Sequence, residues 1–313
     1  MEKRWFCQKK GKCTDMRSFI LGTDWWSDCD DAVAIRLLAR AVKAGEGRLL
    51  GAVINACMEH SVASLKGFFL SEGIEDLPIG IDLAATDYSG ETLYQERVAK
   101  TFCPDVKNTD AEDGVRLYRR LLAESDTPVE IIEIGFLQVV AALLKSGADD
   151  ISEKSGLELV REKVTKFWVM AGKWSKDGER EHNFCLNERS RMGGKDFLAL
   201  CPVPVTFLGY EVGCDVITGD CFADDTDVLC RLMADYGTVI GRSSWDPMTV
   251  LMALIGDEAA AGYKSVRGTA SLDAESGKNY FAPNDGGLHA YVVKDRPNEF
   301  YKTQINERIK KSI

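Results

Sequence analysis

SFILGTDWWSDCDDAVAIRLLARAVKAGEGRLLGAVIN, residues 18–55, decides the fold. Its first run, Ser18 to Gly22, is short, apolar and rich in bulky side chains, the signature of a buried strand. After an acidic cluster, Ala32, Val33, Ile35, Leu37, Leu38, Ala41 and Val42 recur at largely helical spacing until Gly45 and Gly47 stop them. LLGAVIN then gives a second buried strand that ends at Asn55. Outward from this unit the same order repeats: SVASLKGFFLSEG as helix, LPIGI as strand, GVRLYRRLLAES as helix, VEIIEIG as strand and VVAALLKSG as helix. KFWVMAG and PVTFLG continue it as strands. Such alternation implies a parallel sheet with helices on both faces. No internal repeat or low-complexity linker interrupts it. The expected architecture is therefore a polar extension over residues 1–17 and a single α/β domain over 18–313 with a mainly parallel central sheet.

Composition narrows the function. A chain that is 45% hydrophobic and 28% charged is ordinary for a globular protein. Its net charge of −10, with Lys and Arg scattered, offers no basic footprint for a nucleic acid. The ten cysteines are dispersed without CxxC spacing, which argues for reduced thiols. The basic start MEKRWFCQKKGKCTDMR lacks the apolar stretch of a signal peptide, and no run approaches the roughly 18 apolar residues of a membrane span. These features predict a cytoplasmic protein with no membrane or nucleic-acid partner.

In open α/β sheets ligands bind beyond the carboxyl ends of the strands. The polar residues directly after apolar runs are thus the candidates: Asp24, Asp28, Asp30 and Asp31, then Asn55, Gln138, Lys173 to Asn183, and Glu211. Four carboxylates crowded into TDWWSDCDDA repel one another unless a cation or protons relieve them. Oxygen donors without clustered His or Cys favour a hard ion, calcium or magnesium. A purely structural role is open for three of them, with Asp28 as N-cap and Asp30 and Asp31 in the first turn of a helix. Asp24 has no such role. An EF-hand loop is excluded, because its sixth and twelfth positions counted from Asp24 hold Cys29 and Ile35.

An apolar strand followed by TDWWSDCDDAVAI resembles the N-terminal signature of the inosine-uridine-type nucleoside hydrolases, in a longer form with two extra residues. GFLQVVAAL, REHNFCLNERS and SSWDPMTVLMAL resemble three further segments of that family in the right order, so the likeness extends from about Ser18 to Gly256. The resemblance implies hydrolysis of the N-glycosidic bond of a ribonucleoside or related ribosyl compound, one calcium ion, and assembly as a dimer or tetramer. It implies Asp24, Asp31 and Asp246 as metal ligands, with Gln138 adding its backbone carbonyl. Asp30, Asn55, Glu181 and Asn183 would hold the sugar. Asp24, or Asp28 if the register is shifted by the insertion, would take the proton from water.

Departures from the family pattern concern the leaving base. Trp245 stands where purine-type members carry a His, and an indole cannot serve as a proton donor to the base. Trp245 is instead a candidate to stack on the base or fill the pocket, and His182 is the substitute acid by position; His60 and His289 are weaker candidates. Gly22 replaces the first Asp of the opening motif, and the Trp25-Trp26 pair is bulkier than the usual small residues. Asp246 before Pro247 also suits a helix N-cap. Two other readings stay open: a ribosyl-binding protein that has lost hydrolysis, and a phosphatase of the haloacid-dehalogenase type, whose paired acids Asp28-Cys29-Asp30 imitate.

Overall fold

The computed structural model describes residues 16–26, 28–88, 90, 92–220 and 226–310. Of the expected polar extension, residues 1–15 lie outside the described residues. Arg17 belongs to the folded body, because its guanidinium pairs with Glu130 and donates to the Leu254 carbonyl at 3.0 Å.

The strands are β1 (Ser18–Thr23), β2 (Arg48–Ile54), β3 (Ile79–Ile81), β4 (Glu112–Asp113), β5 (Val129–Glu133), β6 (Val164–Met170), β7 (Glu179–Arg180), β8 (Val205–Leu208), β9 (Ile217–Thr218), β10 (Arg242–Ser243), β11 (Tyr263–Asp273), β12 (Lys278–Pro283) and β13 (His289–Lys294). Eleven of them form one sheet in the order β4-β3-β2-β1-β5-β6-β8-β13-β11-β12-β7. The run from β4 to β13 is parallel, and β11, β12 and β7 add an antiparallel end. Central strands are apolar on both faces, as a covered parallel sheet requires, and every residue of β1 is buried. On one face the helices Asp30–Lys43 and Trp245–Ile255 contribute to one apolar cluster. On the other, Gly114–Glu124, Gln138–Lys145 and Glu188–Leu200 contribute to a second.

The chain runs outward from β1 through β2, β3 and β4, then returns to place β5 on the other side of β1. That reversal opens a crevice above the carboxyl ends of β1 and β5, where this class of sheet binds ligands. Gly22 and Glu133 are register partners there. A Cβ on Gly22 would lie 2.0 Å from Glu133 Oε2, so glycine is what lets the Glu133 side chain cross β1.

Three local points are decided. Asp28 does not cap the following helix: Cys29 is the N-cap, and the Asp28 carboxylate instead accepts from the Cys29 N–H at 2.7 Å. Asp246 is the second residue of its helix, behind Ser244 as N-cap, so its carboxylate is free of capping. Trp25 and Trp26 are buried and do not line the cavity that the acids face. Among the described residues no helix is long and apolar enough to cross a membrane.

Candidate active site

The loop after β1 must carry four acids out of the sheet and return to a helix, and Trp25 makes the turn at φ 48°. A left-handed backbone is unusual for a bulky residue and persists only where the surroundings hold it. Here its N–H donates to Thr23 Oγ1 at 3.0 Å, its indole N–H donates to Ser64 Oγ at 2.7 Å, and its carbonyl accepts from Gln95. Its ring packs against Phe68 and Tyr94. Anchored in this way, the loop brings Asp24, Asp28, Asp30 and Asp31 to the wall of a cavity of about 330 Å³. The helix Trp245–Ile255 brings Asp246 to the same wall from the far end of the chain.

Carboxylate oxygens of Asp30, Asp31 and Asp246 lie within 4.8 Å of one another, and all three residues are buried. Asp30 Oδ2 accepts the Asp246 N–H at 3.1 Å, while Asp31 Oδ1 accepts from Thr23 Oγ1. Asp24 Oδ1 accepts the Trp26 N–H at 3.0 Å. Burial first, and repulsion from Asp30, Asp28 and Glu181 second, push the Asp24 carboxyl up to about 8. Asp30, Asp31 and Asp246 are raised well above the usual range, again by burial first and then by the charge of neighbouring aspartates, led by Asp28 for Asp30, Asp24 for Asp31 and Asp30 for Asp246. Buried acids are normally paired with cations or hydrogen-bond donors, and these have too few. Three oxygens at this spacing, with no sulfur or imidazole among them, fit a hard divalent ion. The trio differs from the sequence expectation by including Asp30 and leaving Asp24 beside it.

The segment after β6 supplies the opposite wall. Glu181 Oε1 and Oε2 accept the N–H groups of Asn183 at 3.0 Å and Gly172 at 2.8 Å. Burial nevertheless pushes its carboxyl up to about 7. Asn183 Nδ2 donates to the Met170 carbonyl at 2.9 Å, and Asn183, Ile134 and Met170 all line the cavity. His182 lines the cavity at its rim, 5.7 Å from the Phe136 ring centroid, and partial desolvation lowers its pKa. His289 is structural, its Nδ1 accepting the Ala270 N–H at 2.9 Å.

Two expected residues do not line the cavity. Asn55 is buried with Oδ1 accepting the Phe136 N–H at 3.0 Å, so it ties the end of β2 to the end of β5. Gln138 begins a helix, where its own carbonyl belongs to the helical ladder, and its side chain donates to the Asn55 carbonyl. Gly135 threads between the end of β1 and Asn55, with no space for a Cβ beside Asp24 N at 2.4 Å and Asn55 Oδ1 at 2.6 Å.

At the mouth Asp28 and Trp245 meet three residues that the sequence did not flag: Arg242, Tyr210 and Tyr236. Asp28 accepts from Arg242 Nε at 2.8 and 3.0 Å and from Nη2 at 2.6 Å. Trp245 stacks on Tyr210 with centroids 5.4 Å apart, and its indole N–H donates to the Tyr210 carbonyl at 2.8 Å. With Tyr236 these form the aromatic wall.

No family model and no curated protein matches the chain. Solved structures do. The inosine-uridine preferring nucleoside hydrolase from Bacillus anthracis is similar with a TM-score of 0.71 at 12% identity, over 94% of this chain and 99% of that one. A plant nucleoside hydrolase, the PpNRh1 enzyme, gives 0.69 at 16% identity over 94% and 98%. The type III effector protein XopQ, complexed with adenosine diphosphate ribose, gives 0.67 at 18% identity over 94% of each chain. The chain thus has the fold of the nucleoside hydrolases.

Proposed function

We propose that the protein is a calcium-dependent hydrolase of the N-glycosidic bond of ribonucleosides or related ribosyl compounds. The observation that carries this reading is the buried Asp30, Asp31 and Asp246 trio opening onto a cavity also lined by Asp24, Glu181, Asn183 and Trp245. Two of the similar structures are named as nucleoside hydrolases, which supports the same reaction class.

Hydrolysis of a ribosyl C1′–N bond passes through a sugar with oxocarbenium character. It requires an ionised base for water, negative charge near the sugar, and fixed hydroxyls. Asp30, Asp31 and Asp246 would hold the cation, which supplies positive charge that lets the surrounding acids ionise and a binding point for the sugar hydroxyls. Asp24 takes a proton from the attacking water. The assembled carboxylates stabilise the developing positive charge on the sugar. Glu181 and Asn183 hydrogen-bond its hydroxyls, and their own ties to backbone groups keep them oriented. Trp245, held flat against Tyr210, offers a stacking surface for the base. Asp28 is taken up by Arg242, which supports Asp24 as the base.

Incubating the purified protein with a panel of nucleosides and assaying reducing sugar tests the reading. Ribose should appear with calcium, disappear with chelator and return when calcium is restored. Calcium binding with no ribose from any nucleoside would replace the hydrolase with a ribosyl-binding protein. Magnesium-dependent phosphate release would favour the phosphatase.

A further inference from the structure

Arg242 stands out among the cavity residues because the remaining titratable side chains there are acids, tyrosine hydroxyls and His182. Asp28 grips Nε and Nη2 as a fork, which fixes the plane of the guanidinium. No hydrogen-bond partner meets Nη1 among the described residues. The cation lies 5.5 Å from the Trp245 ring centroid and 5.7 Å from that of Tyr236, so aromatic faces hold it where the base would stack. The other donors at this end are weak candidates. The Trp245 indole N–H is already bonded to the Tyr210 carbonyl, and His182 is held toward its neutral form.

We propose that Arg242 carries the leaving-group step, its Nη1–H edge bonding a carbonyl oxygen of the departing base and holding the negative charge the base acquires. This rests on the reading of the cavity as an N-glycosidase site. In the step the C1′–N bond breaks and both electrons stay with the base, delocalised onto its carbonyl oxygen. Water oxygen forms the new bond to C1′, its proton passes to Asp24, and the released base anion is protonated by solvent. No general acid is needed. The substrates served best carry an oxygen acceptor at the guanidinium, as hypoxanthine does. Adenine presents an amino group there, and two donors then face each other.

Kinetics of Arg242→Met, Arg242→Lys and His182→Ala on inosine, adenosine and p-nitrophenyl riboside test this. Arg242→Met should lower kcat/KM for inosine by about 10²- to 10³-fold, the usual effect of deleting one preorganised donor to developing negative charge. On p-nitrophenyl riboside, whose leaving group is already stable, its loss should stay under about tenfold. Arg242→Lys, which keeps the charge and the pairing to Asp28 but not the fork, should fall between wild type and Arg242→Met. His182→Ala should change inosine and p-nitrophenyl riboside by the same factor. Equal losses of Arg242→Met on both ribosides would reduce Arg242 to a clamp on the Asp28 loop, and a selective inosine loss in His182→Ala would assign the step to an imidazole acid. A second readout needs no turnover: quenching of tryptophan fluorescence by free hypoxanthine and adenine. Arg242→Met should weaken hypoxanthine and spare adenine, and unchanged hypoxanthine binding overturns the proposal. If wild type releases no base from any riboside, the hydrolase reading fails, and the hypoxanthine titration alone decides the role of Arg242.

Discussion

Asp24 and Asp28 are four positions apart in one loop yet meet different partners. Asp24 is buried with a single N–H on its carboxylate, whereas Asp28 sits at the rim in a fork with Arg242. Asp24→Asn keeps an oxygen and the shape but removes the base. It should lower kcat by at least about 10²-fold, the lower bound for general-base catalysis, while calcium affinity measured by calorimetry changes little. A near-normal rate would remove Asp24 from the proton-transfer step. The sequence motif made both acids visible without separating them, because the separating partner is 214 residues away. Arg242 itself gave no signal: a single arginine near a serine pair looks like any solvated cation until the fold brings it to Asp28. Trp245 was legible as an aromatic at the mouth, but the Tyr210 carbonyl that occupies its N–H was not.

At the scale of elements, the parallel strands were readable because burial on both faces leaves unbroken apolar runs. The antiparallel end was not. β11 alternates buried and exposed residues along most of its length, β12 exposes most of its residues and β7 is a two-residue edge strand, so their apolar signal is weak. That end nevertheless positions the site. Asn279, wholly buried on β12, donates to the Lys173 carbonyl at 2.8 Å and accepts the Lys173 N–H at 3.2 Å, fixing the segment that runs from Gly172 to Glu181. Removing its amide leaves buried backbone groups unpaired, at a cost of about 1–3 kcal/mol. Asn279→Ala should therefore lower the melting temperature and raise KM for the riboside more than it lowers kcat, because Glu181 loses its backing. An unchanged KM would separate the antiparallel end from the site. Asp28 and Asp246 have the side chains of N-caps, which left a purely structural role open in the sequence, but their carboxylates are engaged or aimed elsewhere.

For the whole molecule, the acids that face the cavity couple its stability to pH and to the ion. Asp24, Asp30, Asp31 and Asp246 all have folded pKa values above the unfolded value, Asp24 at about 8. Between about pH 4 and 8 the folded state thus holds protons that the unfolded chain has released. Stability falls with rising pH across that window, by about 1.4 kcal/mol per pH unit for each proton of difference. A cation among Asp30, Asp31 and Asp246 replaces the protons on those three and reduces the slope. Melting curves with chelator and with calcium should therefore diverge as pH rises from 6 to 8, the calcium increment being larger at pH 8. Parallel curves would show that the acids are relieved in another way.

The space over Gly22 has a consequence for substitution. Because the Glu133 carboxyl occupies the space a side chain at position 22 would need, the two positions are coupled. An aspartate placed at position 22 would meet a second buried carboxyl, and like charges this close disfavour ionisation of both. Accommodating it requires Glu133 to swing away from the Tyr118 hydroxyl or to give way to a smaller residue.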